Sequence, residues 1–155
     1  MTRTTRHELP DLAAMTAFGV TIAARLREGD VVALDGGLGA GKTTLARAII
    51  AALGHSGEVP SPTFTIVERY DAPPLRLPIV HADFYRLDTP DELRELGLED
   101  YREGAVLIAE WPDHAGGFAH EAACLSLTLE NAPEGPDKGR IAIAAPGPDW
   151  LSRWP

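Results

Sequence analysis

The chain has 155 residues, and its 14 Lys and Arg against 23 Asp and Glu leave a formal net charge of −9. That length suits one domain with one sizeable core, and the acidic balance argues against a protein that grips nucleic acid by itself, since phosphate contacts need a basic face. A lone Cys124 excludes an internal disulfide and reads as a small buried residue in a strand. Residues 1–10 are charged and lack the apolar stretch of a signal peptide, and no window approaches the roughly 18 apolar residues of a membrane helix. The chain therefore reads as cytoplasmic, with no membrane partner.

In chain order, Thr2–Leu9 is a candidate edge strand, and Asp11 is a candidate N-cap after Pro10. Leu12, Met15, Gly19, Ile22 and Leu26 recur at three- and four-residue spacing, which predicts a helix with a core-facing stripe, ended by Gly29-Asp30. Val31–Leu34 is an apolar run bounded by turn residues, hence a buried strand. Lys42–Leu53 predicts a second helix, with Leu45, Ala46, Ile49, Ile50 and Leu53 buried and Gly54 as its stop. A Pro/Ser loop, Glu58–Thr63, leads to the alternating strand Phe64–Tyr70 and a turn at Asp71–Pro74. Further strands are expected within Leu77–Leu87 and at Ala105–Ala109, with a helix at Asp91–Leu96 between them. Ala122–Leu129 and Arg140–Ala145 predict two late strands, paired across a turn at Pro133–Lys138.

The segment Gly36-Gly37-Leu38-Gly39-Ala40-Gly41-Lys42-Thr43 satisfies G-x-x-x-x-G-K-[ST] at every fixed position. Glycines let successive backbone N–H groups turn inward on phosphate oxygens. The helix that opens at Lys42 adds free amides and the positive end of its dipole. Lys42 is expected to reach the β- and γ-phosphates and the Thr43 hydroxyl to ligate Mg²⁺; Thr44 either contacts the α-phosphate or is only a first-turn helix residue. Average composition produces such a match on the order of once in two hundred chains of this length. The placement between a strand and a helix makes it more specific still.

A phosphate cradle of this kind needs an acid at the end of a neighbouring strand. Two candidates fit: Asp83, in His81-Ala82-Asp83-Phe84-Tyr85-Arg86, and Glu110, closing Val106-Leu107-Ile108-Ala109-Glu110. In an open α/β sheet, ligands sit at the carboxyl ends of strands, within reach of both. Ser61-Pro62-Thr63 is a hydroxyl-bearing loop of the kind that orders around a γ-phosphate. His81 and Trp111 read as packing or hydrogen-bonding residues.

These pieces together resemble the bacterial TsaE (YjeE) family, the ATPase component of tRNA threonylcarbamoyladenosine (t6A) biosynthesis. The resemblance rests on G-x-L-G-A-G-K-T-T at Gly36–Thr44, S-P-T-F at Ser61–Phe64, H-x-D-x-Y-R-L at His81–Leu87 and E-W-P at Glu110–Pro112. It covers most of the chain and is weakest in the C-terminal third. The chain departs from the pattern at Gly37, where family members commonly carry Asp, and in its proline-rich turn at Pro73, Pro74 and Pro78. The resemblance implies binding of ATP and Mg²⁺, slow intrinsic hydrolysis, and work with TsaB and TsaD on adenosine 37 of tRNA. It implies that Thr43 and Glu110 bind the metal, that Asp83 positions water or supports the metal, and that Thr63 lies in a switch-like loop.

The expectation is thus a P-loop NTPase, one α/β domain over residues 1–155, with three α/β/α layers around a central mixed sheet. Lys42, Asp83 and Thr63 are its catalytic candidates. A small-molecule kinase is the runner-up; such enzymes usually need a lid with clustered arginines, whereas Arg69, Arg86 and Arg102 are well separated in the sequence. A GTPase is disfavoured by the absence of N-K-x-D. A nucleotide-gated binding module differs from a slow ATPase mainly in rate. Stable binding of tRNA by this chain alone is not expected.

Overall fold

The computed structural model describes residues 4–37, 39–59, 67–87, 89 and 91–154. Residues 60–66, which hold Ser61, Pro62, Thr63 and Phe64, lie outside the described residues, as does Leu38.

The described strands are β1 (Thr5–Leu9), β2 (Val31–Gly36), β3 (Val67–Tyr70), β4 (Ile79–Asp83), β5 (Val106–Glu110), β6 (Cys124–Asn131) and β7 (Arg140–Pro146). They form one sheet in the order β1-β7-β6-β2-β5-β4-β3. Its centre is parallel: β2 lies between β5 and β6, and β4 continues beside β5. Both flanks are antiparallel, β3 on β4 at one side and β6, β7 and β1 at the other. The parallel strands are buried on both faces, which is why they appear as continuous apolar runs in the sequence.

Strand alternation divides the core in two. Val32, Leu34, Ile79, Val106, Ile108, Leu125 and Leu127 pack beneath α1 (Leu12–Arg25) and α2 (Lys42–Ala52). Val31, Ala33, Val80, Ala82, Leu107 and Ala109 face the opposite layer, formed by α3 (Asp91–Leu96), α4 (Leu98–Arg102) and the segment around Phe118. Helices on both sides of a mixed sheet are the expected three layers. No helix among the described residues is long and apolar enough to cross a membrane.

The Asp11 side chain caps α1 by accepting from Ala14 N–H at 2.8 Å. Gly19 is a close-packing position: a Cβ there would lie 2.6 Å from the Ala48 Cβ of α2. Two details of α1 differ from the sequence reading. Leu12 is 68% exposed, because it sits at the helix start, beyond the layer that Phe18, Ile22 and Ala23 bury. The helix also ends earlier, at Arg25, and its exit is shaped by Asp30, whose carboxylate accepts from Arg27 N–H at 2.7 Å and is paired with Arg153. Helix α2 ends as expected. Gly54 (φ 119°) donates to Ala51 O at 3.0 Å and His55 to Ile50 O at 3.3 Å, a Schellman closure. The five-residue α4 was not anticipated; it restarts after Gly97 takes a left-handed conformation.

Candidate functional site

The carboxyl ends of β2, β4 and β5 meet the N-terminus of α2 at one edge of the sheet. Register brings Asp83 opposite Glu110, and Glu110 opposite Leu34. Both acids are the last residues of their strands rather than residues beyond them. They therefore obey strand alternation and point to the α2 side, as do Ile79 and Ile108. His81, two residues before Asp83, shares that face.

The loop between β2 and α2 is built on glycine where no other residue fits. At Gly36 (φ 137°) a side chain would run into the carbonyl oxygen of Leu129. At Gly41, the N-cap of α2, the backbone is left-handed (φ 102°) and supplies no side-chain cap. The first amides of α2 are thus left without a side-chain acceptor, an arrangement suited to an anion.

Lys42 is only 5% exposed. Its Nζ donates to Gly36 O at 2.7 Å and Gly37 O at 2.8 Å, and lies 4.1 Å from the Trp111 ring centroid. Burial pushes its pKa below the ordinary lysine value, opposed by the nearby charges of Glu110, Asp35 and Asp83. Thr43 donates its hydroxyl to Glu110 Oε1 at 2.8 Å, while the other oxygen of Glu110 lies 2.6 Å from His81 Nε2. Glu110 is 2% exposed. The two expected metal ligands, distant in sequence, thus touch.

A cavity of about 440 Å³ opens over this group, lined among others by Gly39, Ala40, Lys42, Thr43, Asp83 and Glu110. A second cavity of about 280 Å³ shares Gly41, Thr44 and Arg140 with it, and its wall includes Leu9, Pro10, Leu12 and Met15. The two cavities adjoin at the start of α2, and the second mixes these apolar side chains with Asp11 and Asp137.

Sequence reasoning missed Arg140. It enters from the start of β7 and donates to Gly39 O at 3.2 Å, and no local motif marks it. Trp111, expected to pack or hydrogen-bond, is the only non-glycine residue with positive φ among those described (55°), and it groups with Tyr85 and His114 beside Lys42. Thr63 and Leu38 lie outside the described residues.

No cluster of three metal-ligating side chains occurs among the described residues. Mg²⁺ takes one or two carboxylates plus phosphate oxygens and water rather than an all-protein cage. The hard oxygen donors of Thr43, Glu110 and Asp83 fit the ion.

Burial raises the pKa of Asp83 above the ordinary carboxylate value; the nearby charge of Glu110 raises it further, and the bond from Tyr85 N–H opposes both. A group whose folded pKa is raised destabilises the fold once ionised. Asp83→Asn, which keeps the acceptor for Tyr85, is therefore expected to raise the melting temperature at pH 7, by an amount worth no more than about 1 kcal/mol. The gain fades as pH falls from the raised folded pKa to the unfolded one, where both states are protonated. Melting curves across acidic pH check this; a gain unchanged at low pH would mean that ionisation is not its source.

A glycine loop running from a central parallel strand into an uncapped helix, with acids at the ends of neighbouring strands, defines an α/β P-loop fold. The chain belongs to the family of threonylcarbamoyl adenosine biosynthesis protein TsaE, whose family model matches residues 9–140. It is 39% identical over 123 residues to the tRNA threonylcarbamoyladenosine biosynthesis protein TsaE of Haemophilus influenzae, covering 76% of this chain and 77% of that protein. It is 41% identical over 110 residues to the TsaE of Synechocystis, covering 68% of each. The crystal structure of Bacillus subtilis YdiB superposes with a TM-score of 0.78 at 28% identity, covering 99% of this chain and 93% of that one.

Proposed function

We propose that this chain is a magnesium-dependent, slow ATPase that serves tRNA t6A formation in the cytoplasm with TsaB and TsaD. The observation that carries the reading is the convergence of Lys42, Thr43, Glu110 and Asp83 on one cavity at the uncapped start of α2. Family membership and the names of its relatives set the pathway.

In this reading the α2 amides and Lys42 receive the β- and γ-phosphates, and Thr44 with Arg140 flanks the α-phosphate. The base runs into the second cavity, against Leu9 and Met15. Thr43 and Glu110 hold Mg²⁺, directly or through water, and Asp83 orients a water or supports the ion. The bound ion supplies charge neutralisation on the phosphate oxygens. Lys42 stabilises charge as it spreads over the transferred phosphoryl group, and water attacks directly. A raised pKa at Asp83 suits a group that orients water and shares its proton. The net charge of −9 repels tRNA, which leaves substrate handling to the partners.

The test is reconstitution with purified TsaB, TsaD and tRNA. Formation of t6A is expected to require this chain and hydrolysable ATP, with the γ-phosphate label recovered as inorganic phosphate. Label recovered on a small acceptor would instead establish the kinase. Tight, salt-resistant tRNA binding by the isolated chain would refute the division of labour.

A further inference from the structure

His81 is an unexpected residue in the middle of a buried strand, β4. It is 0% exposed, and its neighbours along the same face of β4 are Ile79 and Asp83. One ring nitrogen, Nε2, lies 2.6 Å from Glu110 Oε2. The other, Nδ1, is buried with no hydrogen-bond partner among the described residues. An unsatisfied buried polar atom costs about 1–3 kcal/mol. What the ring gives in return is its bond to Glu110, a buried carboxylate whose second oxygen would otherwise lack this partner.

The tautomer follows from the partners. Glu110 Oε1 already accepts the Thr43 hydroxyl. An ionised carboxylate offers only acceptors, so the short contact at Oε2 requires a proton on His81 Nε2. A neutral ring then leaves Nδ1 as a bare lone pair, and Nδ1 is the ring atom without a partner among the described residues. The carboxylate is consequently held at both oxygens and cannot rotate. It also does not collapse onto the nearby ammonium: Lys42 donates to Gly36 O and Gly37 O instead.

We propose that His81 is a positioning residue: its Nε2–H pins Glu110 Oε2, so that Oε1 is presented beside Thr43 Oγ1 in the wall of the phosphate cavity as a preorganised ligand for the divalent ion of the nucleotide. The inference rests on the magnesium reading given above, but its first test does not. In the metal-free protein, ring nitrogen shifts measured by NMR are expected to show His81 protonated at Nε2 and bare at Nδ1. A proton at Nδ1 instead would overturn the assignment, whatever the fate of magnesium.

The second test titrates Mg²⁺ into protein with bound ATP, and separately measures ATP affinity in EDTA, for the parent chain, His81→Leu, His81→Gln, His81→Asn and Glu110→Gln. Outer partners of a metal ligand typically contribute 10- to 100-fold in metal affinity, so His81→Leu is expected to weaken Mg²⁺ binding by about tenfold or more. Its ATP affinity in EDTA is expected to stay that of the parent. His81→Gln, whose amide reaches the position of ring Nε2, is expected to recover most of the loss, and the shorter His81→Asn is not. Mg²⁺ affinity at the parental level in His81→Leu, or equal losses in His81→Gln and His81→Asn, would defeat the proposal. Should His81→Leu fail to fold, the Gln–Asn comparison decides. If the parent and Glu110→Gln respond identically to Mg²⁺, the magnesium reading falls by itself, and the tautomer measurement still judges the pin.

Discussion

Replacing Lys42 with alanine is expected to lower affinity for ATP by about 10²-fold or more without weakening the fold. An ammonium donating to β- and γ-phosphate oxygens makes two charge-assisted bonds of about 1.5–3 kcal/mol each, and each 1.4 kcal/mol is tenfold in affinity. Those bonds replace existing ones, because the ammonium already donates to Gly36 O and Gly37 O and rests on Trp111. The exchange places the net loss toward the lower end of the simple sum. The fold should not suffer, since the ammonium is desolvated enough to depress its pKa, and removing a buried cation relieves that cost. Nucleotide titration together with a thermal melt checks both halves. An alanine variant that binds ATP like the parent removes the cradle from this account, and one that binds poorly because it has unfolded shows a lowered melt.

Glu110→Gln is expected to move two affinities in opposite directions. The carboxylate is buried beside the phosphate cavity and is held by Thr43 and His81. Without metal, its charge repels the triphosphate, so the neutral variant should bind ATP in EDTA at least as well as the parent. With Mg²⁺, the variant loses a charged ligand, and affinity should fall by about 10- to 100-fold, the scale of disturbing a metal shell. Hydrolysis should fall at least as far, because the bound ion neutralises charge that develops in the transition state. Glutamine is the informative replacement: it retains an acceptor for Thr43 and nearly the same volume, so lost packing cannot imitate lost charge. Two affinities that fall together would point to a damaged pocket rather than a missing metal ligand.

These two residues also show how unevenly function is written along the chain. Lys42 and the glycines before it were legible because their chemistry is local. A left-handed backbone at Gly41 and a helix starting at the next residue are decided within a few positions. Asp83 and Glu110 were legible as strand-end acids but not as neighbours: their adjacency comes from the parallel pairing of β4 with β5. Arg140 was invisible, because it reaches Gly39 across about a hundred intervening residues without a motif around it. His81 was visible only as a polar residue in an apolar run, and its bond to Glu110 required the two strands to be aligned side by side. Leu12 fitted the helical period and still lies exposed, since periodicity marks a face but not how far along the helix the neighbouring layer extends.

The sequence by itself determined the alternation of strands and helices, the phosphate loop, the burial of α2 and the hairpin pairing of β6 with β7. Each depends on backbone preferences or periodicities that act over a few residues. The tertiary structure alone decided which strand lies beside which, which ends converge on the start of α2, and hence that Thr43, Glu110 and His81 form one hydrogen-bonded line. Side-chain chemistry between distant segments is set by register, and register follows from how the whole hydrophobic surface closes rather than from any single stretch.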